Sequence, residues 1–291
     1  MTDIKPSIAI CMATYNGDTY LSDQLDSLIS QDYKNISIYI HDDGSTDNTV
    51  EILNKYYKKY PSLFNIITNN IQYKNAGLNF MFILSQTPKH DFYMFCDQDD
   101  VWLHNKVSLS LSYISKIKNI KTIPALCHSD LKIVDSDLNI ICESMWNETS
   151  WVHKENSYES LFVENNVTGC TVIFNHIAKA SSLNNKYPEW RAMLHDWWIA
   201  LNVASINGTI VRIKEPTILY RQHENNSIGY IARNKTPSIA NKAYINSIFF
   251  FNPFFLFKQY RKYKKRIKFL PTIISYSAYM VEIRKKYLRN Y

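Results

Sequence analysis

Three carboxylates in four positions, Asp97-Gln98-Asp99-Asp100, follow directly on the apolar run Phe92–Cys96 and form the sharpest chemical signal in the sequence. Like charges this close raise one another's pKa, and a cation among them relieves the repulsion. Hard carboxylate oxygens suit Mg²⁺ or Mn²⁺, and an ion held by one or two of them completes its shell with waters and substrate phosphates. The other reading is an Asp-rich turn that caps the next helix. A second acidic turn, Asp42-Asp43-Gly44-Ser45-Thr46-Asp47, reads either as a strand-to-helix turn or as a place where a carboxylate accepts the imide N–H of a pyrimidine. Asp196, in His195-Asp196-Trp197-Trp198, lies in an otherwise apolar helical pattern. A carboxylate there is costly unless it is paired or lines a pocket, so it is a candidate general base. Trp197 and Trp198 suit a core or a sugar-stacking platform equally. His223, at the end of Tyr220-Arg221-Gln222-His223, is a candidate metal ligand or phosphate contact.

These residues need a scaffold, and the first half of the chain supplies one by alternating short β-rich runs with amphipathic segments, the pattern of an α/β parallel sheet. Strands are expected at Ser7–Thr14, Ile36–Ile40, Phe64–Thr68 and Phe92–Cys96, with helices at Tyr20–Ile29, from Gly44-Ser45-Thr46-Asp47 to about Tyr60, and at Asn75–Leu84. Thr46 or Asp47 is the expected N-cap of the second helix. The acids then fall at the carboxyl ends of the second and fourth strands, where ligands bind in an open parallel sheet. Beyond Trp102 the alternation loosens. Val107–Ile117 and Leu194–Ile206 look helical, Gly208 is a plausible stop, and short strands are expected at Leu126–His128, Lys132–Val134, Thr171–Phe174, Ile210–Ile213 and Thr217–Tyr220.

Composition and missing motifs exclude several classes. With 291 residues, 46% hydrophobic and 14% aromatic, the chain can bury a sizeable core. Its six glycines form neither a P-loop nor a dinucleotide fingerprint, and HExxH, GxSxG and CxxC are absent. The five cysteines are scattered in strand-like runs and read as reduced, buried thiols. The polar N-terminus resembles no signal peptide, and the longest apolar stretch, Tyr244–Phe257, is interrupted and shorter than the roughly 20 residues a bilayer span requires. The net charge of +7 is unevenly spread: residues 235–291 hold 13 Lys/Arg and one acid, whereas residues 1–234 hold 20 Lys/Arg and 25 Asp/Glu. An acidic body thus carries a basic, Phe- and Tyr-rich tail. That tail suits an amphipathic element at an anionic membrane surface, or else a helical appendage that contacts a second copy. Nucleic acid is not an expected partner, since no supporting motif accompanies the basic residues.

The ordered motifs resemble family 2 glycosyltransferases of the GT-A fold: Ala13-Thr14-Tyr15-Asn16-Gly17, Gln24-Leu25-Asp26-Ser27-Leu28, Asp42 to Asp47, Asn75-Ala76-Gly77-Leu78-Asn79-Phe80, and Cys96-Asp97-Gln98-Asp99-Asp100-Val101-Trp102. The resemblance continues through Ser129-Asp130, Val167-Thr168-Gly169-Cys170-Thr171, His195 to Trp198 and Leu219 to His223, so that it covers about residues 7–227. It implies a Rossmann-like, mixed and mostly parallel sheet flanked by helices. The implied organisation is a GT-A domain over 1–234, with a nucleotide-binding half over about 1–102 and an acceptor and catalytic-base half over 103–234, followed by the tail at 235–291. His41 precedes Asp42 where the family more often has an apolar residue.

The resemblance also implies roles. Thr14, Tyr15, Asn16, Asp42, Asp43, Asn79 and Asp97 would bind the nucleotide sugar, with Asp43 on the base; Asp99 and His223 would hold Mg²⁺ or Mn²⁺. Asp100, Trp102, Thr168, Gly169, Trp197, Trp198 and Arg221 would line the acceptor and sugar pocket, and Asp196 would be the base of an inverting transfer. The motif set looks most like the bacterial rhamnosyltransferase-type branch that builds O-antigen and other surface polysaccharides. That implies dTDP-L-rhamnose as the favoured donor, with UDP-hexose or UDP-N-acetylhexosamine as alternatives. It also implies a lipid-linked glycan acceptor, on undecaprenyl diphosphate, and work at the inner face of the cytoplasmic membrane. The competing readings are a non-catalytic scaffold of a polysaccharide assembly complex and a nucleotidyltransferase. The second normally shows a basic, Gly-rich phosphate loop, and Ala13–Asp18 holds no Lys or Arg.

Overall fold

The computed structural model describes residues 5–69, 71–149, 156–163, 165–185, 194–224 and 226. The chain divides into two units, 1–241 and 242–291, and all described residues belong to the first. The expected basic tail, 235–291, lies outside them.

Five strands and four helices build the first half: β1 (Ile8–Thr14), α1 (Leu21–Ile29), β2 (Ile36–Asp42), α2 (Thr49–Lys59), β3 (Phe64–Ile66), α3 (Ala76–Gln86), β4 (Phe92–Cys96), β5 (Val101–Trp102) and α4 (Lys106–Ile114). The second half adds β6 (Ala125–Val134), β7 (Ile140–Cys142), α5 (Met145–Thr149), α6 (Tyr158–Val163), a 3-10 turn (Gly169–Thr171), β8 (Val172–Asn175), α7 (His176–Asn184), α8 (His195–Ser205) and β9 (Thr209–Arg221). One mixed sheet runs β3-β2-β1-β4-β8-β6-β9-β5, with β7 on β6. Parallel pairing joins β3, β2, β1 and β4, as well as β6 and β9; β8 runs antiparallel to β4 and to β6.

Burial on both faces explains why β1 and β4 read as unbroken apolar runs. Ile8, Ile10 and Met12 pack into one apolar layer with Leu25 and Leu28 of α1 and Val107 of α4. Ala9 and Cys11, pointing the other way, join a second layer with Phe80 and Leu84 of α3 and Ile199 of α8. All five cysteines are free thiols. Among the described residues no helix is long and apolar enough to cross a membrane.

Three details differ from expectation. The two short strands expected at Leu126–His128 and Lys132–Val134 are one strand, β6, because Ser129 and Asp130 find partners elsewhere in the fold: Ser129 Oγ lies 2.6 Å from Thr217 Oγ1, and Asp130 Oδ1 accepts Trp146 N–H at 3.2 Å. Ile210–Ile213 and Thr217–Tyr220 likewise merge into β9, which follows β6 in parallel through register shifts around Ser129, Asp130 and Lys132. Asn48, rather than Thr46 or Asp47, holds the N-cap position of α2, although Asp47 Oδ1 does accept Thr49 N–H at 3.0 Å.

Candidate active site

β1 and β2 end level, with Thr14 opposite Asp42, and both turns that follow fold back over this edge. Asp42 organises them. Its Oδ1 accepts the N–H groups of Gly44 (3.1 Å) and Ser45 (2.8 Å), and its Oδ2 accepts the hydroxyls of Ser45 (2.6 Å) and Thr14 (2.8 Å). Gly44 occupies φ +88°, which favours glycine, and Asn16 sits at φ 46°. Asn16 Oδ1 accepts Thr46 N–H at 2.8 Å, so it ties one turn to the other. Asp43 is buried; its N–H donates to Thr14 O at 2.9 Å and its Oδ1 accepts Tyr73 N–H. Asn79 faces the ring of His41 from α3. The Tyr15 ring is 56% exposed while its backbone is clasped by Gln98, whose Oε1 accepts Tyr15 N–H (2.8 Å) and whose Nε2 donates to Tyr15 O (2.9 Å).

The acidic turn after β4 separates its three carboxylates by environment. Asp99 Oδ2 is 2.9 Å from His223 Nε2, which β9 brings across the sheet edge. Asp97 is half-buried as a residue, yet its carboxyl is enclosed; desolvation, then the charges of Asp99 and Asp196, push its pKa up to about 7. Asp100 is fully buried, accepts Arg221 N–H at 3.2 Å and is pushed well above the usual carboxylate range by desolvation and by Asp99 and Asp97. Asp97, Asp100 and Cys170 each bring one donor atom within 4.8 Å of the others. Beneath them Lys106 is fully buried, 4.6 Å from the Trp102 ring centroid, and burial lowers its pKa to about 8.

Arg221, expected at the pocket, is instead committed to scaffolding. It is 2% exposed; Nε donates to Asp99 O (2.9 Å), Nη1 to Ser136 O and Nη2 to Asp23 Oδ2 (2.8 Å), and the guanidinium lies 4.4 Å over the Tyr20 ring. The same Tyr20 ring is 4.8 Å from the ring of His223. Trp102 is likewise drawn into the core, where β5 pairs with β9 and Trp102 N–H donates to Ser27 Oγ at 3.1 Å.

Asp196 lies in the first turn of α8 and is 6% exposed. Its carboxylate accepts N–H groups from Trp197 and Gly169 and the Asn165 amide (3.2 Å). These donors and the helix N-terminus favour the charged form, but desolvation outweighs them and raises the pKa to about 7. Gly169 is required by close approach: a Cβ there would lie 2.8 Å from His195 Nε2 and 3.4 Å from Asp196 Oδ2. Thr168 O accepts the Thr171 N–H and hydroxyl, which shapes this turn. Both indoles turn inward, Trp197 Nε1 donating to Leu161 O and Trp198 Nε1 to Ser182 O (3.1 Å), so packing is the role the structure gives them. Asp196, Asp97, Asp99 and His223 therefore gather at one edge of the sheet. Gln98, Asn165, Cys170 and Tyr20 also support this edge. Their roles depend on partners distant in sequence, so spacing gave no signal for them.

The set Asp99–His223, with Asp97 beside it, offers carboxylate oxygen and imidazole nitrogen donors to a divalent cation.

A sequence model of glycosyl transferase family 2 matches residues 9–173. The dTDP-rhamnosyl transferase RfbG of Shigella flexneri is 34% identical over 226 residues, which span 75% of this chain and 73% of that protein. Among solved structures, S. aureus TarS 1–349 in complex with UDP-GlcNAc superposes with a TM-score of 0.58 at 18% identity, covering 78% of this chain and 62% of that one. The mannosyltransferase PcManGT from Pyrobaculum calidifontis, in complex with GDP-Man and Mn²⁺, gives 0.59 at 10% identity, covering 97% and 81%. At these identities the two structures speak for the fold alone.

Proposed function

Because this chain belongs to glycosyl transferase family 2, we propose that it transfers a sugar, with inversion, from a nucleotide-diphosphate donor to a glycan acceptor, with Asp196 as the general base. The observation that carries this reading is the Asp196 carboxyl, enclosed by protein, raised to about 7 and electrostatically linked to Asp97 of the acidic turn. A base with a pKa near the working pH is best matched to proton abstraction from a hydroxyl. In the reaction the acceptor hydroxyl gives its proton to Asp196 while its oxygen bonds to the anomeric carbon; the bond from that carbon to the diphosphate oxygen breaks, and its electron pair leaves with the nucleoside diphosphate. Asp43, Thr14 and Tyr15 bind the nucleoside, and Asp97 faces the ribose or the sugar. Asp99 and His223 would hold Mg²⁺ or Mn²⁺, which when bound would supply positive charge to the departing diphosphate.

The likeness to a rhamnosyl transferase favours dTDP-L-rhamnose as donor; the UDP-GlcNAc complex of a structural neighbour keeps UDP-N-acetylhexosamine and UDP-hexose in the screen. We assign donor binding to about 1–102, the acceptor and base to 103–234, and contact with an anionic membrane surface, or with a second copy, to 235–291. A lipid-linked surface polysaccharide at the cytoplasmic face of the membrane is then the acceptor, in keeping with the 13 Lys/Arg of the tail. The test is a screen of nucleotide sugars with product analysis. Release of nucleoside diphosphate with glycan extension, lost in Asp196→Asn while donor binding survives, is the expected result; pyrophosphate release, or unchanged turnover in that variant, would overturn the reading.

A further inference from the structure

Directly before the acids of the β2 turn stands His41, a polar side chain that is 2% exposed. Its ring bridges two elements: Nδ1 is 2.7 Å from Asn79 Oδ1 on α3, and Nε2 is 3.1 Å from Asn69 Oδ1 on the segment after β3. Asn79 Nδ2 donates to His41 O at 3.3 Å, while Asn69 Oδ1 also accepts Ile71 N–H at 2.8 Å and its Nδ2 donates to the Tyr73 hydroxyl at 3.4 Å. The edges and faces of Phe82 and Tyr73 box the imidazole in at 5.0 and 5.8 Å between centroids. Tyr73 in turn gives its backbone N–H to Asp43 Oδ1. A closed circuit of contacts therefore runs from α3 through His41 and Asn69 to Tyr73 and back to Asp43, two residues from His41 along the chain.

We propose that His41 is a positioning residue that fixes Asn69 and Tyr73 behind the Asp43 carboxylate and thereby strengthens binding of the nucleobase of the donor. Histidine suits this place because one rigid ring presents polar atoms at two ends to two separate elements. An apolar side chain would fill the space without tying Asn69 and Tyr73 to α3. With the tie cut, Tyr73 N–H is no longer held against Asp43, so the direction in which the carboxylate accepts a hydrogen bond from a base is lost. Groups that touch the diphosphate and the reacting carbon lie on other elements and keep their geometry. The inference rests on the reading of Asp43 as the base-contacting residue.

The test uses the full chain and four variants, His41→Ala, His41→Gln, Asn69→Ala and Asp43→Asn. Donor KM and kcat are measured, with calorimetric binding of UDP, dTDP and inorganic pyrophosphate. His41→Ala and Asn69→Ala are expected to raise donor KM and weaken UDP and dTDP by about tenfold, the loss of one buried hydrogen-bond tie. Turnover and pyrophosphate affinity should stay within about twofold in both. His41→Gln, whose amide can replace one of the two ring contacts, should fall between the alanine variant and wild type. Asn69 is only half-buried, so its truncation reads the same tie without emptying the core. If Asp43→Asn weakens both nucleotides while the His41 and Asn69 variants do not, this inference alone falls. If Asp43→Asn leaves both unchanged, the base contact and the inference fall together. Equal losses in turnover, pyrophosphate and nucleotide binding would also overturn it, since they would mark general damage to the fold.

Discussion

Replacing Asp196 by Asn separates catalysis from stability in opposite directions. The carboxyl is raised from 3.8 to about 7 by burial, which corresponds to about 4 kcal/mol at 1.36 kcal/mol per pKa unit. Between pH 4 and 7 the native state holds a proton that the unfolded chain has released, so stability declines across that window as pH rises, and above pH 7 the whole cost of the buried charge is present. Asparagine carries no charge at any pH and avoids that cost. It forfeits one acceptor oxygen where Trp197 N–H, Gly169 N–H and the Asn165 amide converge, a loss of about 1 kcal/mol. The variant should therefore be more stable than wild type by about 2–3 kcal/mol at pH 8.5 but within about 1 kcal/mol of it at pH 5, where the part of the burial cost already present in wild type offsets the lost hydrogen bond. Its turnover should fall by about 10²–10⁴-fold as the base is lost. Urea unfolding at both pH values, beside steady-state nucleoside diphosphate release, reads all three quantities. A variant destabilised equally at pH 5 and 8.5 would refute the role of burial in raising this carboxyl, and near-normal turnover would refute its role as base.

The remaining expectations are more direct. Turnover of the wild type should rise with pH along a limb of apparent pKa near 7; Asp97 lies in the same range and is linked to Asp196, so the limb belongs to the pair and should sharpen in Asp97→Asn. Asp99→Asn and His223→Ala should each weaken Mn²⁺ binding in the presence of UDP by at least about tenfold, as read by the EPR signal of free Mn²⁺; full activity in excess EDTA would contradict a metal at this pair. Gly169→Ala drives a Cβ against the His195 ring 2.8 Å away and should cost about 1–3 kcal/mol in urea unfolding, with turnover reduced because Asp196 shares the same turn.

Much of this site can be read from the sequence because its parallel strands are apolar on both faces and end in acids. β1 and β4 are legible as unbroken apolar runs and β2 as an alternating one, and Asp42, Asp43 and Asp97 to Asp100 stand where such strands deliver their carboxyl ends. The later strands are harder to read. Ser129 and Asp130 look like a break between two short strands, since nothing in the local sequence reveals that Thr217, Ser144 and Trp146 will satisfy them. The same non-local satisfaction hides the purpose of Arg221: a buried arginine flanked by Gln222 and His223 reads as a ligand contact until Asp99 O, Ser136 O and Asp23 are seen around its guanidinium. His195 is the opposite case, a histidine beside the candidate base whose ring is stacked 4.0 Å from Phe80 and whose pKa burial lowers to about 3, so that it packs as an aromatic.

Residues expected at the site accordingly divide by what their polar atoms already do. Asp42, Asn79 and Arg221 spend their hydrogen bonds on the protein, and Trp102, Trp197 and Trp198 bury their rings in it. A ligand that recruited any of these groups would have to break contacts that hold the sheet edge together. Asp97, Asp196 and the Asp99–His223 pair differ: burial raises the first two, and the charges of Asp99 and Asp196 raise Asp97 further, so each gains from a partner that takes up charge or a proton. On the proposed reading the acidic edge is held in a state that a bound substrate would relieve, and the first group supplies the rigidity that keeps it there. Substitutions in the first group should lower stability and activity together, whereas Asp196→Asn should lower activity while raising stability at alkaline pH. That divergence is the signature of a site whose cost to the fold comes from its chemistry.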